Sequence, residues 1–256
     1  KVWLASRDGT TIGTPRRLTR GTAKEYFPAM SPDNVWVAYV TWSDSTGGAL
    51  WKARADGTGQ PVQLTKDGGW VTGPAWTPEG DRLVFTWNPR TVGLGAGTTA
   101  AMTELRTVAA AGGATSLVTV PGGGGGNPFG AGGTFVAGLS SASAGPTRVY
   151  FTENVPNPTP GFNATATSAL VSVRLDGTDK RTHARITTNQ ALGIAVQVAP
   201  DGKHALVLDR DDLYAFPLVD VGSEGLTINF ASPSVPLRRL TSEGANYAGW
   251  GDGGKT

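Results

Sequence analysis

Apolar and polar residues along the chain change places over short distances and never settle into a helical spacing. Residues 35–42 (VWVAYVTW) and 83–87 (LVFTW) are runs of five to eight β-branched and aromatic residues, and residues 1–10, 49–58 and 169–178 tend to alternate apolar with polar. Both patterns predict strands. Between them stand Pro-Asp-Asn at 32–34, Pro-Glu-Gly-Asp at 78–81 and Pro-Asp-Gly at 200–202. These read as tight turns, because Pro presets φ ahead of a Gly or Asn that accepts a positive φ. The longest windows without Gly or Pro, 162–176 and 178–192, hold 15 residues each, which leaves no room for long bundle helices. One segment conflicts: residues 98–111 (TTAAMTELRTVAAA) have a helix-forming composition. The repeat described next instead makes 104–113 a strand.

Residues 1–10 (KVWLASRDGT) lie over 49–58 (ALWKARADGT) at an offset of 48, with Trp, Ala, Asp, Gly and Thr identical, and 169–178 (ALVSVRLDGT) is a third copy. Each copy leads to a short strand ending in Leu-Thr or its equivalent, at PRRLT 15–19, PVQLT 61–65, ARITT 184–188 and LRRLT 237–241. A second signature follows, PAMSPDNVWVAYVTW from Pro28, PAWTPEGDRLVFTW from Pro74 and VQVAPDGKHALVLD from Val196, beginning again at Tyr247. One unit is therefore strand A, a tight turn, strand B, a variable loop, strand C, an Asp-Gly-Thr turn and strand D. Four antiparallel strands repeated at this period are the blade of a β-propeller. The expected fold is all-β, a single propeller domain or fragment over 1–256. It has four complete blades (about 20–65, 66–120, 121–188 and 189–241) and two partial ones (1–19 and 242–256). Lys1 enters at strand C and Thr256 stops where strand B would begin, so neighbouring sequence or another chain is expected to complete the end blade.

Composition narrows the chemistry. Lys and Arg number 22 against 20 Asp and Glu, a net charge of +2, and no basic block exceeds two or three residues, so nucleic acid receives no electrostatic support. No apolar run approaches a membrane span of roughly 18 residues. With no cysteine, disulfides, thiol nucleophiles and cysteine zinc sites are excluded. The two histidines, His183 and His204, fall in different blades without a His-x-His pair, and Gly-x-Ser-x-Gly and Walker motifs are absent. No catalytic residue, metal ligand or cofactor is expected in this chain. His204 is expected at a strand start near the surface and His183 on a solvated basic strand. Asp209, Asp211 and Asp212 read as a charged turn around Arg210, the glycines at 122–126 as a loop, and Asn163-Ala-Thr as a chance sequon. The tryptophans Trp36, Trp42, Trp51, Trp76 and Trp87 fall on strands and are expected to pack between blades rather than to form a sugar-stacking platform.

The units PAWTPEGDRLVFTW, SPDNVWVAYVTW and LWKARADGTGQPVQLT resemble the WD-repeat-like blades of TolB-type propellers of exported bacterial proteins. The segments LRRLTSEGANYAGWGDGGKT and EYFPAMSPDNVWVAYVTW resemble the propeller that precedes the metal-dependent barrel of large TolB-type amidohydrolases. The resemblance covers nearly the whole chain, with residues 122–188 departing from it. It implies a periplasmic or secreted protein. It also implies a non-catalytic propeller that docks on, gates or positions substrate for a hydrolase domain of the same polypeptide or complex, within a metal-dependent amidohydrolase. A stand-alone periplasmic protein-binding propeller of the TolB kind is the alternative. A third is the propeller of a prolyl-oligopeptidase or tricorn-like peptidase.

Strand alternation puts the D–A and B–C loops at one end of each blade, and the A–B and C–D turns at the other. The long insertions 88–103, 122–133 and 153–168 all lie in B–C or D–A connections, whereas the A–B and C–D links, apart from those of the divergent blades, read as tight turns. The insertion-bearing end is thus the expected functional end. Strand A lines the channel in a propeller, so the residues expected at its mouth are Glu25, Tyr26, Trp70, Asn189, Asn246 and Tyr247.

Overall fold

A computed structural model describes residues 1–9, 11–88, 103–121, 136–140, 146–155, 166–188, 195–209, 211–245 and 248–250. Strands and turns account for all the regular structure among them, and no helix is long and apolar enough to cross a membrane. In chain order, β1 (Trp3–Leu4), β2 (Arg7–Asp8), β3 (Thr11–Ile12) and β4 (Arg16–Arg17) form two short antiparallel pairs, β1 with β4 and β2 with β3. The first full blade is β5 (Lys24–Met30), β6 (Trp36–Ser43), β7 (Gly47–Arg54) and β8 (Val62–Gln63). The second is β9 (Trp70–Trp76), β10 (Arg82–Asn88), β11 (Glu104–Ala109) and β12 (Ser116–Thr119). β13 (Val136–Ser140), β14 (Arg148–Val155), β15 (Ala166–Arg174) and β16 (Arg181–Thr188) make the third. The fourth is β17 (Ala195–Val198), β18 (His204–Asp209), β19 (Asp212–Pro217) and β21 (Arg238–Arg239). In each blade spatial order equals chain order, so the architecture is a β-propeller of four-stranded antiparallel blades.

The recurrent turns have one geometry each. In the A–B turns, Asn34, Gly80 and Gly202 donate their N–H groups to Ser31, Thr77 and Ala199 at 2.9, 2.9 and 2.8 Å, with φ of 58°, 73° and 68°. That left-handed position explains the Asn or Gly after Pro-Asp and Pro-Glu. In the C–D turns, one carboxylate oxygen of Asp56 accepts both the Thr58 N–H (2.8 Å) and its hydroxyl (2.7 Å), and Asp176 does the same for Thr178 (2.9 and 2.6 Å). Gly57 and Gly177 supply φ of 82° and 81° between them. Residues 104–109 are a strand, so the repeat register prevails over helical propensity there.

One connection departs from the expected tight turns. Between β19 and β21 the chain makes a long excursion, and β20 (Leu226–Asn229) leaves its own blade to pair in parallel with β16, as a fifth strand on the outer edge of the third blade. Leu226 and Ile228 are buried while Thr227 and Asn229 are exposed. The excursion is therefore held by a period-two apolar pattern too short to stand out in the sequence.

The chain divides into two compact units, 1–92 with 106–116, and 93–105 with 117–256. In the first, Val40, Leu50 and Leu64 of one blade pack on Val71, Trp76 and Phe85 of the next, and Val2 and Leu18 pack on Val37, Tyr39 and Ala53. In the second, Tyr150, Leu170 and Ile186 pack on Val198, Val207 and Phe216, with Leu226 and Ile228 closing the cluster. Each buried Val, Leu, Ile or Phe among them gains about 1.5–3 kcal/mol from burial. A tryptophan indole fixes a neighbouring segment inside each unit: Trp76, at the end of β9, donates its N–H to the Ala29 carbonyl of β5, and Trp250 donates to the Gln197 carbonyl of β17, both at 3.1 Å.

Candidate functional site

The B–C and D–A end of the first two blades is built from glycine and tryptophan. Gly48 donates its N–H to the Gly69 carbonyl at 2.7 Å, joining the β6–β7 hairpin to the loop before β9. A Cβ on Gly48 would stand 2.8 Å from that oxygen, so the two backbones approach only because the side chain is missing. Beside this joint the rings of Trp42 and Trp70 stack at 3.9 Å and 15°. The Trp42 indole N–H donates to Asp44 at 2.8 Å, and that of Trp87 to the Gly68 carbonyl. The Arg106 guanidinium lies 3.9 Å over the Trp87 ring and reaches Thr115 at 3.1 Å and Asp67 at 3.4 Å.

These contacts engage one face of several tryptophans. Trp42 and Trp70 cover each other, Arg106 covers a face of Trp87, and the Lys52 ammonium sits 4.1 Å over Trp36. A sugar-stacking platform needs an open ring face, and here a face of each of these four rings is already taken. Trp76 is buried, and the half-buried Trp51 donates its N–H to the Thr41 hydroxyl at 2.9 Å.

Of the six residues expected at the channel mouth, three are described. Glu25 points inward: its side chain is 3 % exposed, accepts the Val2 N–H at 3.0 Å and receives the Thr19 hydroxyl proton. Its charge, added to burial, pushes the Tyr39 hydroxyl up to about 12, with burial the larger cause. Trp70 is half-buried in the stack with Trp42, and Tyr26 is 39 % exposed. Glu25 and Tyr26 neighbour each other on β5, opposite Thr41 and Val40 of β6. Asn189, Asn246 and Tyr247 lie outside the described residues, as do Arg210, Asn163 and the glycines at 122–126. In the sequence, Trp42 is marked for this end of the blades only by its place at the end of a B strand, level with the start of the next strand A.

The third blade holds a second polar group, and His183 there is not on a solvated strand. Its ring is half-buried, 5.1 Å from that of Tyr150, with Nε2 2.7 Å from the Ser172 hydroxyl. Burial first, then the Arg148 charge, lowers its pKa to about 4. Arg148 Nε also donates to the Ser172 oxygen at 2.8 Å, and the direction of the Ser172–His183 hydrogen bond is set by the imidazole tautomer. Ser172 is fully buried, which keeps substrate from its hydroxyl. Arg148, Arg174 and Arg181 converge on Asp179 at 2.8, 3.3 and 2.9 Å, and the hydrogen bonds from Arg181 first and Arg148 next hold its carboxyl down at about 2. His204 has a 53 % exposed side chain, 4.0 Å from Asp201. Among the described residues no three His, Cys, Asp or Glu are disposed to hold a metal ion.

Comparison with known proteins places the fold. No protein-family model matches the chain, and no curated protein matches it. Among solved structures, TolB from Acinetobacter baumannii superposes with a TM-score of 0.57 at 16 % identity, over 93 % of this chain and 48 % of that one. The hydrazine synthase of Kuenenia stuttgartiensis superposes with a TM-score of 0.58 at 13 % identity, over 90 % of this chain and 34 % of that one. The chain thus spans half or less of either neighbour's length. At these identities the likeness establishes the fold alone, a β-propeller, which TolB shares, and function has to be argued from the site.

Proposed function

We propose that the chain is a non-catalytic TolB-type propeller that docks on a hydrolase domain of the same polypeptide or complex, of the amidohydrolase type, and positions or gates its substrate. The observation that carries this reading is the B–C and D–A end of the first two blades. There an exposed Tyr26 stands on a backbone fixed by the Glu25 hydrogen bonds, near a Trp42–Trp70 pair locked by the Gly48–Gly69 joint. Rigid aromatics at the rim of a polar end are the groups that supply interface energy, since little side-chain entropy is lost on binding. An exported location accompanies the TolB likeness.

The test is association of the purified chain with the hydrolase domain encoded beside it, followed by calorimetry. Tyr26→Ala should weaken the complex by about 1–2 kcal/mol with no change in melting temperature. Failure of the two to associate, or association indifferent to Tyr26, would overturn the reading. The fold shared with the Acinetobacter TolB favours a second reading, a free-standing protein-binding propeller. In that case the chain binds a separate protein through the same end and ignores the hydrolase domain.

A further inference from the structure

Residues 1–24 carry six Lys or Arg side chains (Lys1, Arg7, Arg16, Arg17, Arg20 and Lys24) against one acid, Asp8, a net of +5 in a chain whose total is +2. All six are exposed. Elsewhere many described cations find carboxylates, among them Arg54 with Asp56, Arg106 with Asp67, Arg148 with Asp179, Lys180 with Glu153 and Arg239 with Asp212. None of these six side chains takes part in an ion pair among the described residues. Four of them donate to backbone carbonyls instead, Lys1 to Ala23 (2.7 Å), Arg7 to Gly9 (2.8 Å), Arg16 to Ala55 and Arg17 to Thr19 (2.7 Å). A carbonyl satisfies the hydrogen bond but leaves the charge uncompensated.

A cavity of about 200 Å³ opens beside this segment, with Leu18 and Ala53 at its floor and Arg20, Arg54, Thr58 and Gln60 around it. Both floor residues are buried, at 8 % and 6 % exposure. The volume falls below the roughly 300–1,000 Å³ of small-molecule sites, so the cavity suits one side chain of a larger partner. Arg54 is already neutralised by Asp56, which leaves Arg20 as the unpaired charge at the rim. The same segment exposes Trp3 (59 %) and Ile12 (71 %).

We propose that residues 1–24 and the 54–61 turn form a docking surface for an acidic polypeptide segment, with one carboxylate side chain seated in the cavity against Arg20. Charge complementarity selects the acid, and Trp3 and Ile12 supply apolar contact. Nucleic acid fits less well, because the rest of the chain carries a net −3 that repels an extended phosphate backbone. This surface does not depend on the hydrolase reading.

The probe is a short synthetic peptide of alternating Glu and Leu, titrated calorimetrically against the intact chain. Binding is expected to weaken as ionic strength rises, and to fall about tenfold in the double variant Arg20→Glu, Lys24→Glu. Lys203→Glu, an exposed cation far along the sequence, should change it by less than about twofold. Each variant is checked by circular dichroism. Should the charge-reversed pair fold poorly, Arg20→Gln with Lys24→Gln is expected to retain the fold and lose the same contact. Three results would overturn the proposal: equal affinity for a Gln-Leu peptide, equal loss in Lys203→Glu, or tighter binding of single-stranded DNA than of the acidic peptide.

Discussion

The hydroxyl oxygen of Thr65 accepts the backbone N–H of Leu50 at 3.0 Å. Leu64, one residue earlier, donates its own N–H to the Leu50 carbonyl at 2.8 Å. The pair recurs, Thr19 with Val2 at 3.1 Å and Thr241 with Leu213 at 2.9 Å, each with the preceding leucine donating to the same residue's carbonyl. Every Leu-Thr ending of this kind thus adds one rung to the C–D ladder through a side chain. Thr65→Val keeps the shape and leaves the Leu50 N–H buried without an acceptor. It should cost about 1–3 kcal/mol in urea unfolding, while Thr65→Ser should cost under about 1 kcal/mol.

This rung explains why the blades were legible. Asp-Gly-Thr and Pro-Asp-Gly each encode a local turn hydrogen bond, and Leu-Thr marks a bond to the neighbouring strand, so the sequence shows strand order and turn type together. The β20 excursion has no such signal: Leu226 and Ile228 are a two-residue apolar pattern whose partner, β16, lies far away in the chain. Glu25 was equally opaque. Its carboxylate is buried because Val2 and Thr19 supply donors, and no local pattern announces those partners. His183 misled for a related reason, since its basic neighbours Arg181 and Arg185 reach outward to Asp179 and Glu224 while the imidazole turns in to Ser172.

Trp76 separates packing from hydrogen bonding at a blade-to-blade contact. It is buried and donates to the Ala29 carbonyl. Trp76→Phe removes the N–H and part of the ring and should cost about 1–2 kcal/mol, whereas Trp76→Ala should cost about 3–5 kcal/mol. Equal costs in thermal melts would show that the indole N–H contributes nothing.

His183 should leave a signature in the pH dependence of stability. Its folded pKa of about 4 lies below the ordinary 6.5, so the unfolded chain binds the proton more readily. The stability from its neutral form is complete above pH 6.5 and lost as pH falls through about 4. A shift of this size, discounted for partial solvent access, amounts to roughly 2 kcal/mol. His183→Gln should flatten the urea midpoint between pH 6.5 and 4. The lower limb, from pH 3.8 to about 2 where Asp179 titrates, should remain.

Tyr26 should separate in stability from Trp70 and Glu25, because it is exposed while the other two are partly or fully covered. Tyr26 is 39 % exposed, and Tyr26→Ala should shift the unfolding free energy by less than about 0.5 kcal/mol. Trp70→Ala gives up the 3.9 Å stack on Trp42 and should cost about 1–3 kcal/mol, below the cost of a fully buried aromatic. Glu25→Ala removes the acceptor of the Thr19 hydroxyl, one of the two acceptors of the Val2 N–H and the partner of the Lys1 α-ammonium, and should also cost about 1–3 kcal/mol, mainly by loosening β1 and β4. Hydrogen exchange distinguishes the last two: Glu25→Ala should speed exchange at Val2 and Leu18, and Trp70→Ala at Val71 and Trp42. A Tyr26→Ala variant that melts as early as Trp70→Ala would mean that Tyr26 is held by packing and is not available to a partner at this end of the blades.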